Sequence, residues 1–413
     1  MMKALVVGNG AREHAIAKKL HADGAELVSA MSKRNPGIAA ISKRVEIIDI
    51  NKPGDYDRFK GVDIAFIGPE APLAAGITNH LNSLGIPAVG PVKNLARLEW
   101  SKSYARLVLE ENGIPGNPAF KICRDLFEVR TFLRGHPDVA VKPDVLTGGK
   151  GVKLTSEQLH SAKEVEDYAA ECIRNDGLVV LEEKLKGKEF TLQAFVDGKR
   201  VEVMPLVRDF KRAYDGDKGP NTGSMGSYSC PDHGLPDLTA SAVKRGAEIM
   251  RATVSTLAES VGEYHGFLYG GFMNTDRGVY LIEYNARLGD PEAINVLALL
   301  DDSLVETGFK IVEGKLSRPT FRREATVCVY VVPEGYPDNP RRDQLLTVGK
   351  LRHSEPYYAS VYEEGGVIRT TGSRAVALLA RGKSVAEARE RVYSDAPAVK
   401  GALYYRRDIA AGV

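Results

Sequence analysis

The sequence predicts a multidomain α/β and α+β protein, with a doubly wound parallel sheet at its N-terminus and a small α+β domain at its C-terminus. Three observations carry that expectation. At 413 residues the chain is too long for a single hydrophobic core. Strand-like and helix-like segments alternate through the first ninety residues, as in a parallel sheet covered on both faces. Beyond a Pro- and Gly-dense turn at residues 113–118 the pattern becomes compact α+β and then a block of long strands.

The elements follow in order. An apolar run at 3–7 meets Gly8-Asn9-Gly10, and residues 12–23 then place Ala15, Ile16 and Leu20 at helical spacing. Residues 26–30, 45–50, 62–68 and 86–90 read as further strands. Ligands on such sheets bind at the carboxyl ends of strands. Two of these strands end in chemically dense loops, Gly8-Asn9-Gly10-Ala11-Arg12-Glu13-His14 and Gly68-Pro69-Glu70. A helical connector is expected at 93–112. Next come a helix at 126–133, a strand at 139–142, a glycine loop, a helix at 157–174 and a strand at 178–183. Long strands at 190–195, 201–206, 266–273 and 279–284 form the second block. The remainder opens with a strand at 325–332, alternates through 361–370 and closes with a helix at 384–393. The domains expected are 1–100, a connector 101–118, then 119–186, 187–318 and 319–413.

Composition narrows the class. Net charge is only +2, so there is no electrostatic case for a nucleic acid or membrane partner. The four cysteines are far apart and form no CxxC pair, which argues against a zinc site or a disulfide framework. No secretory signal opens the sequence, and no run nears the roughly 20 apolar residues of a membrane span. A cytoplasmic protein acting on small molecules is expected, monomeric or at most weakly dimeric.

Four segments carry candidate chemistry. The first glycine loop lacks the third glycine of a dinucleotide fingerprint and has Glu13 there, which opposes a pyrophosphate. It reads better as an anion site, with Arg12 as a fork donor. The second loop, residues 141–152, is not a Walker A loop because Gly151 follows Lys150. A glycine-rich stretch between strands can cover a triphosphate, with Lys142 as a fixed positive charge. In the third segment, residues 279–292, Glu283 and Asn285 lie two apart on a strand and share a face; their hard oxygens suit Mg²⁺. The fourth, residues 208–226, is an irregular loop whose polar groups could hold a zwitterion and a sugar phosphate. Neither GxSxG nor HExxH is present, so hydrolase chemistry has little support.

The order GNGxREHA, GPExPL, SK, K…GGKGV, EE, GPNTGxMG and IEYNxRxGDPE resembles the phosphoribosylamine–glycine ligase family of ATP-grasp enzymes, from residue 2 to the end. The resemblance implies an ATP-grasp fold: two subdomains clasping ATP between the parallel-sheet domain and the C-terminal domain. It implies that Lys102 and Lys142 contact the phosphates of ATP beneath a flap at Gly148, Gly149, Lys150 and Gly151. Glu182, Glu183 and Leu185 would form the adenine hinge, and Glu189 would hold the ribose. Glu283 and Asn285 would bind Mg²⁺ or Mn²⁺. Gly10, Arg12, Glu70 and the loop Asn221, Thr222, Gly223, Met225 and Gly226 would hold 5-phosphoribosylamine. Asp217, Arg287 and Asp290 would line the glycine side, with Arg287, Lys142 and Asp290 catalytic. The implied reaction phosphorylates glycine and passes the glycyl group to the amine, in purine biosynthesis. Relative to the family pattern, Ala11, Trp100, residues 143–147 and Ser224 are departures. The rivals are a formate- or bicarbonate-using ATP-grasp ligase, opposed by GPNTGxMG; a nicotinamide dehydrogenase, opposed by Glu13; and a non-catalytic nucleotide sensor, which would not need metal pair, flap and two lysines together.

Overall fold

Strands buried on both faces need continuous apolar runs, and the N-terminal sheet has them: Ala4, Leu5, Val6 and Val7 are fully buried, as are Ile64, Ala65 and Phe66. The computed structural model describes residues 2–146 and 151–413, so the expected flap residues Gly148, Gly149 and Lys150 lie outside the described residues. Five parallel strands run in the order Arg44–Ile47, Glu26–Met31, Lys3–Val7, Ile64–Ile67, Ala88–Val89. The order reverses between Lys3–Val7 and Ile64–Ile67, and both chemically dense loops leave the sheet there. That is the switch point where such sheets take ligands.

The connector is two helices, Lys93–Trp100 and Lys102–Glu111, where the sequence suggested one. Ser101 divides them. Its backbone is extended and its hydroxyl accepts from Tyr104 N at 3.2 Å, so it caps the second helix. Lys102 is thereby set at a helix N-terminus. The next unit is an antiparallel sheet ordered Phe120–Cys123, Val179–Glu183, Val139–Pro143, Lys153–Leu154, with helices Leu126–Gly135 and Ala162–Asp176. Ser161 caps the latter by accepting from Glu164 N, which is why it starts five residues later than expected. This lid has its own core, including Val129, Val139, Val141, Val165, Ala169 and Leu181, separate from the main one.

The large sheet is antiparallel, ordered Val201–Val203, Lys188–Asp197, His265–Thr275, Gly278–Asn285. Register places Tyr269 opposite both Gln193 and Asn285, and Gly271 opposite both Thr191 and Glu283. Directly opposed residues share a face, so Gln193, Tyr269, Glu283 and Asn285 all point one way. The other face packs on helix Ala240–Ser260, whose buried Gly246, Met250, Thr253 and Leu257 recur at helical spacing. The C-terminal sheet is ordered Arg208–Asp209, Gly226–Ser229, Ala325–Pro333, Val376–Gly382, Ser354–Tyr358. Two of its strands come from before residue 230, so the loop 210–225 is carried by this sheet. The first and last units dock through His14: Tyr358 N donates to its Nδ1 at 2.9 Å. Burial, aided by Lys18, lowers the His14 pKa to about 3 and keeps it neutral.

Candidate functional site

A cleft of about 340 Å³ opens where the N-terminal sheet, the connector, the lid, the large sheet and the C-terminal sheet meet. Its N-terminal wall is built around Glu13. That carboxylate accepts from Gly10 N at 2.6 Å and from Arg12 Nε at 2.7 Å. A Cβ at Gly8 would stand 2.7 Å from the Glu13 side chain, and one at Gly68 would stand 2.1 Å from it. The glycines therefore make room for a resident anion at the helix N-terminus, where the sequence suggested a phosphate. Arg12 is correspondingly occupied: Nη1 donates to Leu288 O at 3.1 Å, and Nη2 lies 3.9 Å from Glu70.

The lid wall holds a buried triad. Glu182 takes both nitrogens of the Arg106 fork, at 2.7 and 2.8 Å, and Lys142 Nζ at 2.8 Å. Burial opposes the Glu182 charge, but Arg106 and Lys142 outweigh it and hold the pKa below the ordinary carboxylate value. Arg106 also donates to Leu281 O and Ile282 O, and Lys142 to Ile282 O, so the triad ties connector, lid and large sheet together. Nearby, Asp144 accepts from Ser103 N at 2.8 Å and Ser103 Oγ at 2.6 Å, and Lys102 donates to Val145 O. The root of the glycine loop is thus fixed to the same helix N-terminus that presents Lys102.

Arg287 occupies the centre. Its guanidinium lies 3.5 Å from Glu70 and 3.0 Å from Glu99, and Nη2 donates to Asn285 Oδ1 at 3.3 Å. Glu99 is buried and also accepts from Ala286 N at 2.7 Å. Burial raises its pKa to about 7 in spite of Arg287. Glu283 and Asn285 face the cleft side by side, with Asn285 Nδ2 3.5 Å from Glu283 Oε1. Among the described residues, no group of three or more His, Cys, Asp or Glu side chains could hold a metal. The Glu–Asn pair fits a hard cation that completes its shell from phosphate oxygens and water.

The C-terminal wall comes from two loops. Arg374 donates to Gly223 O, to Ser224 O at 3.0 Å and to Asp290 Oδ2 at 3.0 Å, and it stacks 4.3 Å over the Tyr330 ring. Ser224 stands where the family pattern has glycine, and it holds the left-handed conformation that favours glycine, φ +84°. Its hydroxyl offsets part of that strain by donating to Gly226 O at 2.8 Å. Asp209, Lys211, Tyr269 and Glu292 complete the wall. Burial opposes the charge on Lys211, but Asp209 and Glu189 prevail and raise its pKa.

Of the residues singled out in the sequence, Arg12, Glu70, Lys102, Glu182, Thr222, Gly223, Glu283, Asn285, Arg287 and Asp290 line this cleft. Lys142 lies buried just behind Glu182. Glu183 pairs with Arg277 at 2.6 Å, Leu185 is half-buried, and Glu189 pairs with Lys211, all away from the lining. Gly10 caps the first helix, Gly151 accepts from Tyr168 Oη, Asn221 is exposed, and Met225 and Gly226 are buried. Asp217 is outside the cleft, paired with Arg406 at 2.9 Å. Sequence reading missed Glu99, Arg106 and Arg374; Asp209, Lys211 and Glu292 lie in the segments it singled out but received no role of their own. Glu99 and Arg106 flank the Ser-Lys motif at helical spacing; Arg374 had no local signal.

Comparison with known proteins agrees with this architecture. Family models of phosphoribosylglycinamide synthetase match the chain in three parts: the N domain over residues 2–99, the ATP-grasp (A) domain over 100–293 and the C domain over 326–412. The phosphoribosylamine–glycine ligases of Methanoregula boonei and Thermococcus gammatolerans are each 46% identical to it, over 99% of this chain and 96% and 94% of theirs. The crystal structure of the Thermotoga maritima phosphoribosylamine–glycine ligase matches with a TM-score of 0.86 at 30% identity, covering 99% of this chain and 100% of that one. The biotin carboxylase domain of Hydrogenobacter thermophilus 2-oxoglutarate carboxylase, solved with MgADP and bicarbonate, shares the fold at 15% identity and a TM-score of 0.73, covering 98% and 91%. The fold is that of the ATP-grasp enzymes, and the chain belongs to the phosphoribosylglycinamide synthetase (phosphoribosylamine–glycine ligase) family.

Proposed function

We propose that this chain is a carbon–nitrogen ligase that joins glycine to 5-phosphoribosylamine, converting ATP to ADP and phosphate through a glycyl phosphate intermediate, in purine biosynthesis. The observation that carries the reading is Arg287, held between Glu70 and Glu99 beside the Glu283–Asn285 pair, in a cleft that Lys102 also lines. The glycine carboxylate attacks the γ-phosphorus of ATP and ADP leaves. The amine of phosphoribosylamine then attacks the carbonyl carbon of glycyl phosphate, and inorganic phosphate leaves.

Neither step needs a protein nucleophile; position and charge do the work. Lys102 and Arg287 face the transferring phosphoryl group. Lys142, buried against Glu182 and Ile282 O, contributes a fixed potential from behind. Mg²⁺ or Mn²⁺ held by Glu283 and Asn285 would supply further neutralisation of phosphate charge. The adenine falls to the backbone around Glu183 and Leu185 and the ribose to Glu189, beside the cleft rather than in its lining, and the sugar phosphate to Arg12, Glu70 and residues 221–226. Glycine side roles fall to Arg287 and Asp290, with Asp217 entering only when the 210–225 loop moves.

The test uses purified protein with ATP, Mg²⁺, glycine and freshly generated 5-phosphoribosylamine. Phosphate release is expected to require both co-substrates, and release driven by a different acid or amine overturns the assignment. Arg287→Ala and Glu283→Ala are each expected to lower kcat/KM by about 10³-fold or more.

A further inference from the structure

Most carboxylates of the cleft have a fixed cationic partner. Glu70 and Glu99 hold Arg287, Glu182 holds Arg106 and Lys142, and Asp290 holds Arg374. Glu283 faces the metal position beside Asn285. Asp209 also makes no ion pair among the described residues but is half-buried, whereas Glu292 is both unpaired and buried. Glu292 lines the cleft, yet it is only 4% exposed. Among the described residues its carboxylate makes no ion pair, and its one side-chain hydrogen bond comes from the Tyr269 hydroxyl at 3.4 Å.

Its location is as telling as its lack of a partner. On one side, Tyr269, whose hydroxyl meets Glu292, sits opposite Asn285 in the sheet, so one side chain links the carboxylate to the strand that carries the Glu283–Asn285 pair. On the other, Asp290 two residues earlier carries Arg374, which reaches the Gly223 carbonyl of the sugar-phosphate loop. Gly289 leaves the carboxylate uncovered, since a Cβ there would stand 2.4 Å from Glu292 Oε2. The group thus lies between the place where the acyl phosphate forms and the place from which the amine arrives.

Resting on the function proposed above, we infer that Glu292 is the general base of the amide-forming step. The nitrogen of 5-phosphoribosylamine forms a bond to the carbonyl carbon of glycyl phosphate. The bond from that carbon to the phosphate oxygen breaks, and phosphate leaves with the electron pair. The proton lost from nitrogen passes to the Glu292 carboxylate and thence to solvent. The titratable groups facing Glu292 are Asp209 at the end of the strand Arg208–Asp209 and Lys211 just beyond it, Asp290 on its own segment, Arg374 just before the strand Val376–Gly382, and the Tyr269 hydroxyl. Burial, reinforced by Asp209, raises its pKa to about 7, which suits a base working near neutrality.

Two reactions of the purified enzyme test this. One is the full reaction; the other replaces 5-phosphoribosylamine with hydroxylamine, a nucleophile that attacks acyl phosphates without a protein base, and reads glycine hydroxamate. In Glu292→Gln the full reaction is expected to lose about 10²–10³-fold in kcat, while hydroxamate formation and the KM for glycine stay within about threefold. Glu292→Asp recovers part of the loss. If Glu292→Gln keeps its kcat with 5-phosphoribosylamine, the inference fails. It fails equally if the KM for glycine rises about tenfold in both reactions, for the carboxylate would then be holding the substrate ammonium. A wild-type enzyme that makes no glycine-dependent hydroxamate refutes the proposed function instead.

Discussion

Glu182 and Glu292 are glutamates of one cleft with nearly the same burial, 3% and 4% exposed, and opposite electrostatic surroundings. Glu182 has two cations within 2.8 Å, and its pKa is held down. Among the described residues Glu292 has none; it faces Asp209, and its pKa is raised to about 7. Burial alone therefore does not say what a carboxylate is for. Of these two, the carboxylate with two cations in place is a fastening, and the one without an ion pair is free to take up a proton.

The largest effect expected follows from removing the fastening. Glu182→Ala leaves Arg106 and Lys142 charged and buried without a counter-ion, held by backbone carbonyls, at the junction of connector, lid and large sheet. Breaking a buried pair this way costs about 3–5 kcal/mol, to be read from urea denaturation. A cost below about 1 kcal/mol would mean that water reaches the triad and that the contrast with Glu292 is overstated. Next is Arg374→Ala. It strips the Gly223, Ser224 and Asp290 oxygens of a donor, and the expected loss is about 2 kcal/mol of stability with a raised KM for 5-phosphoribosylamine.

Glu292 makes the opposite prediction about stability. Its pKa is raised from 4.5 unfolded to about 7 folded, so its contribution is fully present below pH 4.5 and is lost as pH rises through 7. Glu292→Gln removes that loss. The variant should be more stable than wild type at pH 8, by roughly 1–2 kcal/mol, with the gap closing toward pH 5. Thermal melts across that range decide it, and a pH-independent gap would show that Asp209 and Lys211 already balance the charge.

What was legible in the sequence divides along physical lines. Period and spacing reveal which residues share a face, so the strand alternation of the first domain and the Glu283–Asn285 pair could be read directly. They do not reveal which element comes to face that surface. Arg374 arrives from 84 positions beyond Asp290, and nothing near Thr371-Gly372-Ser373 marks it. Helix Ala240–Ser260 keeps its buried positions at helical spacing, yet strand and loop signals dominate that block of the sequence. Glu13 could be read as hostile to a pyrophosphate. That it would fill the glycine pocket itself needed the close approach of Gly8 and Gly68. The electrostatic difference between Glu182 and Glu292 was illegible, since both lie in motifs and only partners separate them.

The smallest effect belongs to Asp217, and it extends the contrast to an exposed carboxylate. The residue sits at the tip of the hairpin joining Arg212–Tyr214 to Lys218–Asn221, with φ +53°, and its side chain is 68% exposed. Its partner Arg406 is already held by Asp408 at 2.7 Å, so Asp217 adds a second, solvent-screened contact. Such pairs are worth under about 0.5 kcal/mol. Asp217→Asn should therefore leave the melting temperature and the KM for ATP unchanged. The informative readout is the KM for glycine. If that also stays constant, the role implied by the family motif does not carry over to this position. If it rises about tenfold while stability is untouched, the hairpin must swing inward when substrate binds, for only then can a carboxylate outside the cleft affect a ligand within it.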